Sequence, residues 1–263
     1  MTDNRQPYPI GRKTDCSSHL PVIFDGVSSD VLDELNSLCR IRNFAIGQTV
    51  IGDHEAAEFV GYIVSGILRM QKSLPDGRQH IVGLLVENEM FGRVFDGPSH
   101  FAIEAATDVT LCTFPRRDFE ALITRRAELE HLMLTSVLDE LDAAREWIML
   151  LGCRRVIERF SAFLLILCRR WLNVGVVSEE AGVPEVHIPV SRADIAQYLG
   201  TRVETISRAV QALSKADIIR IKDPYRFEIV DMTGLIEMSG NRDFAELDWM
   251  GKLQPQAAGR RQG

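Results

Sequence analysis

The stretch "LGTRVETISR", residues 199–208, holds three polar side chains whose types and spacing could do chemistry together. Glu204, Ser207 and Arg208 stand at i, i+3 and i+4, which stacks them on one face of a helix. Arginine can donate two bonds to guanine O6 and N7, glutamate can accept from the cytosine amino group, and serine can serve either way. The same spacing also suits an ordinary Glu204–Arg208 surface pair, worth roughly 0.2–0.5 kcal/mol to an exposed helix. Reading base edges and bracing a helix are the two chemistries open to these residues.

The neighbouring elements weigh on that choice. "SRADIAQYLG" begins with Ser191, a good N-cap, and carries Ile195, Ala196 and Leu199 as an apolar stripe before Gly200 ends the helix. After the turn Gly200-Thr201-Arg202, a second helix brings Val203, Ile206, Val210 and Leu213 inward at helical period and leaves Glu204, Ser207 and Arg208 outside. Helix, glycine turn and helix form the helix-turn-helix pattern, whose second helix enters the DNA major groove by its N-terminal part. Base reading is therefore favoured, and Arg202 and Thr205 at the same helix end join the candidate DNA contacts. Downstream, "DIIRIKDPYRFEIVD" reads as strand, turn at Asp223-Pro224, and strand. Such a β-hairpin wing would hold Arg220, Lys222 and Arg226 near phosphates.

Composition agrees with this reading. The 263 residues are 46% apolar and 25% charged, ordinary globular material with enough length for two cores. The net charge of −7 argues at first against a nucleic-acid partner, but residues 153–230 hold 12 basic against 9 acidic groups, whereas residues 1–152 hold 14 against 23. The basic part is the helix-turn-helix part, as an electrostatic footprint on DNA requires. The apolar runs fall short of a membrane span and the polar start has no signal-peptide core, so a cytoplasmic protein without a membrane partner is expected. Five cysteines at irregular spacing are not a disulfide framework. Six scattered histidines form no metal-binding or hydrolytic constellation, and no phosphate loop or dinucleotide fingerprint occurs, so no enzyme is expected.

From end to end, the expected organisation is a flexible arm over 1–27, a sensor β-roll over 28–126, a dimerisation helix over 127–152, a winged helix-turn-helix over 153–230 and a tail over 231–263. The sensor part opens with a short helix, Ser28 to Cys39. Short strands then alternate with glycine turns to about Phe114, an α+β arrangement with a jelly-roll or barrel, and Asp76-Gly77 marks a hairpin. The long helix carries Leu129, Leu132, Met133, Val137, Leu141, Ala144, Ile148 and Leu151 at near-heptad spacing. It is expected to pack on its own barrel and, on another face, to pair with its twin through Val137, Leu141, Ala144 and Ile148.

With "FVGYIVSGILRM", "DELDAAREWIMLLG" and "DIAQYLGTRVETISR" in that order, the chain resembles the CRP/FNR family of bacterial regulators over about Ser28 to Val230. Its "ETISR" is similar to the FNR and FixK branch. The resemblance implies a homodimer on TTGA-type palindromes of double-stranded DNA, regulating, chiefly activating, promoters used at low oxygen. It assigns base reading to Glu204, Ser207 and Arg208 and an RNA polymerase contact to the Asp76-Gly77 tip. The alternative is an effector-binding β-roll that answers another small molecule and serves a different regulon.

The resemblance also raises two cofactors. Cyclic-nucleotide members hold the ribose with a glycine-glutamate pair and the phosphate with an arginine-serine pair. The matching stretch "FGRVFDGPSHFAIEA" has Arg93 in place of the glutamate and no arginine-serine pair, so cyclic AMP is not expected. Oxygen-sensing members hold a [4Fe–4S] cluster by four cysteines. Their spacing here reads Cys16, His19, Asp25 and Cys112, only two of which are thiols, so no cluster is the preferred reading. Cys39 and Cys168 read as packing. Cys153, beside Arg154 and Arg155, is the candidate for redox chemistry because cations favour its thiolate.

Overall fold

The computed structural model describes residues 24, 26–73, 79–95, 97–152, 155–173, 185–188 and 190–240. The chain divides into two compact units, Met1–Ala143 and Ala144–Gly263.

The first unit runs α1 (Ser29–Leu38), β1 (Arg40–Phe44), β2 (Thr49–Ile51), β3 (Phe59–Ser65), β4 (Leu68–Ser73), β5 (Gln79–Leu85), β6 (Met90–Phe91), β7 (Ala102–Ala105), β8 (Val109–Pro115), α2 (Arg116–Arg125) and the larger part of α3 (Ala127–Gly152). Its strands form two antiparallel four-stranded sheets, ordered β1-β8-β3-β6 and β2-β7-β4-β5. Strand β3 explains the layering, because it is buried on both faces from Phe59 to Ile63. Phe59 and Ile63 enter the roll among Phe44, Ile51, Leu68, Phe91, Ile103 and Leu111. Val60 and Tyr62 point the other way, into a cluster with Leu35, Phe114, Phe119, Leu122, Leu129 and Met133 that seats the helices. Gly61 between them has no substitute, since a Cβ there would lie 2.1 Å from the Cys112 carbonyl oxygen. The expected turn Asp76-Gly77 lies outside the described residues, although β4 and β5 on either side pair antiparallel up to Ser73 and Gln79. The two-residue β6 is too short to leave a pattern in the sequence.

Helix α3 begins and ends where the sequence predicts, but its apolar stripe is divided along its length. Leu129 and Met133 are buried against the roll, with Leu132 half-buried beside them. Beyond them Leu134, Val137, Leu138, Leu141, Ile148, Met149 and Leu151 are exposed.

The second unit holds the end of α3, then α4 (Val156–Asn173), β9 (Glu185–His187), α5 (Arg192–Tyr198), α6 (Val203–Lys215), β10 (Ile219–Ile221), β11 (Arg226–Ile229) and α7 (Met232–Ser239). The strands make one antiparallel sheet in the order β10-β11-β9. Phe160, Phe163, Leu164 and Leu167 of α4 are buried, as are Ile195, Ile206, Val210, Leu213 and Phe227. Ordered structure continues past Val230, where a tail was expected. Asp231 caps α7 by accepting from the Gly234 amide at 2.9 Å, Leu235 and Ile236 are buried, and Gly240 ends the helix at φ +69°. A short helix with so few polar positions gives little amphipathic signal, so the sequence does not mark its start. Among the described residues, no helix is long and apolar enough to cross a membrane.

Candidate nucleic-acid interface

Helix α5 is started by a reciprocal cap. The Asp194 amide donates to Ser191 Oγ at 3.1 Å, and the Ser191 amide donates to Asp194 Oδ2 at 3.3 Å. These bonds satisfy amides that the first helical turn leaves without partners. The helix stops at Gly200, whose φ of +60° is the left-handed conformation that side chains with a Cβ resist. Thr201 N closes the turn on Ala196 O at 2.8 Å. A hydrogen-bonded start and a hydrogen-bonded stop thus bound α5, and the closed turn at its end leads into α6.

In α6 the buried residues are Ile206, Ala209, Val210 and Leu213. Val203 was expected in that set, but it is 39% exposed, because the first residue of the helix precedes the covered stretch. Glu204, Ser207, Arg208 and Arg202 are exposed and Thr205 is half-buried. Among the described residues, no hydrogen bond or ion pair engages the side chain of Glu204, Ser207 or Arg208, so the Glu204–Arg208 brace is not made. Nor does Arg202, at the N-cap position, close the helix start with its side chain. A helix start with free amides favours an anion, and three unengaged polar groups beside it are open to a polar ligand.

The wing differs. Arg220 Nη1 and Lys222 Nζ both reach Glu228 Oε2, at 2.9 and 2.7 Å, and Arg226 Nε lies 3.5 Å from Asp223 Oδ2. The hydrogen bond from Lys222, with that from Arg220, holds the Glu228 carboxyl below its ordinary range. The three cations are plain in the sequence, whereas the only sign of the Glu228 contact is its place opposite Arg220 in the hairpin. Any phosphate approaching here competes with two carboxylates.

The residues proposed for pairing, Val137, Leu141, Ala144 and Ile148, are all exposed on α3. With Leu134 and Leu151 they follow an alternating step of three and four, the spacing of a coiled-coil seam.

Of the four positions set against an iron–sulfur cluster, Cys16, His19 and Asp25 lie outside the described residues, as does the redox candidate Cys153. Cys112 is fully buried on β8, and burial pushes its thiol up to about 12, away from the thiolate that binds metal. Its Sγ lies 2.9 Å from Cys39 Sγ. Among the described residues, no group of three or more histidines, cysteines, aspartates or glutamates is placed to hold a metal ion. Cys168 is buried in α4 and its thiol is likewise raised. Arg93 is exposed after β6, while the side chains that fill the roll are apolar.

Residues 41–126 match the cyclic nucleotide-binding domain family and residues 158–238 match the Crp-like helix-turn-helix domain family. The transcriptional activator protein FnrL of Cereibacter sphaeroides is 32% identical over 92% of this chain and 97% of its own length. The nitrogen fixation regulation protein FixK of Bradyrhizobium diazoefficiens is 32% identical over 79% of this chain and 86% of its own. The solved structure of FixK2 from Bradyrhizobium japonicum superposes with a TM-score of 0.68 at 26% identity, covering 76% of this chain and 96% of that one.

Proposed function

The chain belongs to the CRP/FNR family of DNA-binding transcriptional regulators, and from that premise we propose that it works as a homodimer on TTGA-type palindromes. It is a regulator and not an enzyme. The observation that carries the proposal is the unengaged face of α6, where Glu204, Ser207 and Arg208 project from the N-terminal turns of the second helix of a helix-turn-helix. Arg208 would take a guanine edge, Glu204 a cytosine amino group and Ser207 either kind of partner, while Arg202, Thr205 and the helix start meet the backbone. Two copies are needed because a palindrome presents its half-sites one helical turn apart. The exposed seam Val137, Leu141, Ala144 and Ile148 supports pairing through α3.

The likeness to a protein named transcriptional activator supports activation, and the resemblance of "ETISR" to the FNR and FixK branch carries the further proposal that the chain acts by contact with RNA polymerase in the cytoplasm, on genes used at low oxygen. The test is titration of a labelled TTGA palindrome against a scrambled duplex of equal length and salt. Preference for the palindrome is expected, and Glu204→Ala should relax selection at one base position of each half-site. Equal affinity for both duplexes would overturn the reading.

A further inference from the structure

Three aromatic rings join three helices of the second unit. Trp147 lies near the end of α3, Phe163 in α4, and Tyr198 is the last residue of α5. The rings of Trp147 and Tyr198 stack with centroids 3.8 Å apart at 13°. Phe163 meets both edge-on, 6.4 Å from Trp147 at 72° and 5.8 Å from Tyr198 at 73°. Phe163 and Tyr198 are buried. The residue after Tyr198 is held from α4, because Arg159 Nη1 donates to the Leu199 carbonyl at 2.8 Å, immediately before the Gly200 turn. The end of α5, from which the turn launches α6, is therefore clamped by α3 on one side and α4 on the other.

The end of α3 also has two faces. Trp147 is half-buried and Leu150 is buried, three residues on, whereas Leu141, Ile148 and Leu151 are exposed. One face grips the helix-turn-helix and the other is free to meet a second copy.

We propose that the Trp147–Phe163–Tyr198 joint fixes the attitude of α6 on the end of α3, and so sets the half-site spacing that a pair of recognition helices accepts. This inference rests on pairing through α3. If two copies meet along that helix, the distance between their recognition helices depends on how rigidly each α6 is tied to it. Stacked rings with an edge-on third ring hold a defined relative orientation, which aliphatic contacts of the same area do not. The three rings are positioning residues and need touch no base.

The experiment uses the full chain and labelled duplexes with either a single half-site or two half-sites whose separation is stepped one base pair at a time. A wild-type protein with no preferred spacing would overturn the dimer reading itself, separately from the joint. Given a preferred spacing, Trp147→Ala should leave single-half-site affinity unchanged and weaken the preferred spacing by about threefold to tenfold, the range a stacked aromatic pair supports. Neighbouring spacings should be unaffected, so that the profile flattens, and Trp147→Phe should restore the peak. Tyr198→Leu keeps an apolar side chain in place but removes the stack, and it should flatten the profile in the same way. An unchanged profile in Tyr198→Leu overturns the proposal whatever Trp147→Ala does. Equal weakening on the single half-site and at every spacing overturns it too, since that marks a damaged domain.

Discussion

Helix α6 and the wing lie close in sequence and both expose charge, yet they treat it in opposite ways. On α6 the side chains of Glu204 and Arg208 stand one helical turn apart and engage nothing among the described residues. On the wing, Glu228 is shared by Arg220 and Lys222, and Asp223 answers Arg226. A charge already hydrogen-bonded to an opposite charge must lose that partner before it can bind a phosphate, whereas an unengaged one loses only water. The difference supports the sequence selection proposed for α6 and suits the wing to a partly neutralised supporting role.

The most severe way to break this comparison is to separate the two copies. Leu141→Asp with Ile148→Asp should yield monomers by sedimentation and lower palindrome affinity by about a hundredfold or more, because the linked second half-site is lost. A dimer that survives both changes places the interface elsewhere. Next in size, Arg208→Ala should cost about 1–3 kcal/mol on the palindrome and little on random DNA, the signature of a lost base contact. If the ratio of specific to random affinity stays the same, α6 does not read sequence.

The wing responds in the other direction. Glu228→Gln frees Arg220 and Lys222, so affinity should rise on all sequences alike and the salt dependence should steepen by up to about two phosphate equivalents. A salt slope equal to that of the wild type would mean that the wing stands clear of the backbone. The smallest effect concerns a group that burial, and not a partner charge, keeps silent. Cys112 in the folded chain should resist iodoacetamide at about pH 8 and react once the chain is denatured, as read by mass spectrometry. Its thiol is raised in the folded state to about 12 from an ordinary 9.0. The stability linked to it is therefore intact below about pH 9 and declines as pH rises through the folded value. Rapid labelling of the native thiol would show that the β8 core opens.

Much of this was legible because periodicity and turn chemistry act locally. Ser191 with Asp194, Gly200 at its left-handed turn, and the inward residues Ile206, Val210 and Leu213 announce the helix-turn-helix from spacing alone. The roll could be read as strands between glycines, but not the order β1-β8-β3-β6, since pairing between residues as remote as Arg40 and Thr113 leaves no local trace. Helix α3 gave one stripe, and only the roll showed that Leu129 and Met133 belong to it while Leu141 and Ile148 do not. Helix α7 was missed because its pattern is mostly apolar and short.

By itself the sequence determined where the two helices of the helix-turn-helix begin and end, and which polar residues share the outer face of the second. Both depend on side-chain type at fixed local spacing. Tertiary structure alone decided which polar groups are engaged, setting Glu228 between two cations and leaving Glu204 and Arg208 open. It alone stacked Trp147 on Tyr198, fifty-one positions away along the chain. Engagement depends on the few ångströms between side chains, and residues far apart in sequence come within that distance only when the core has packed.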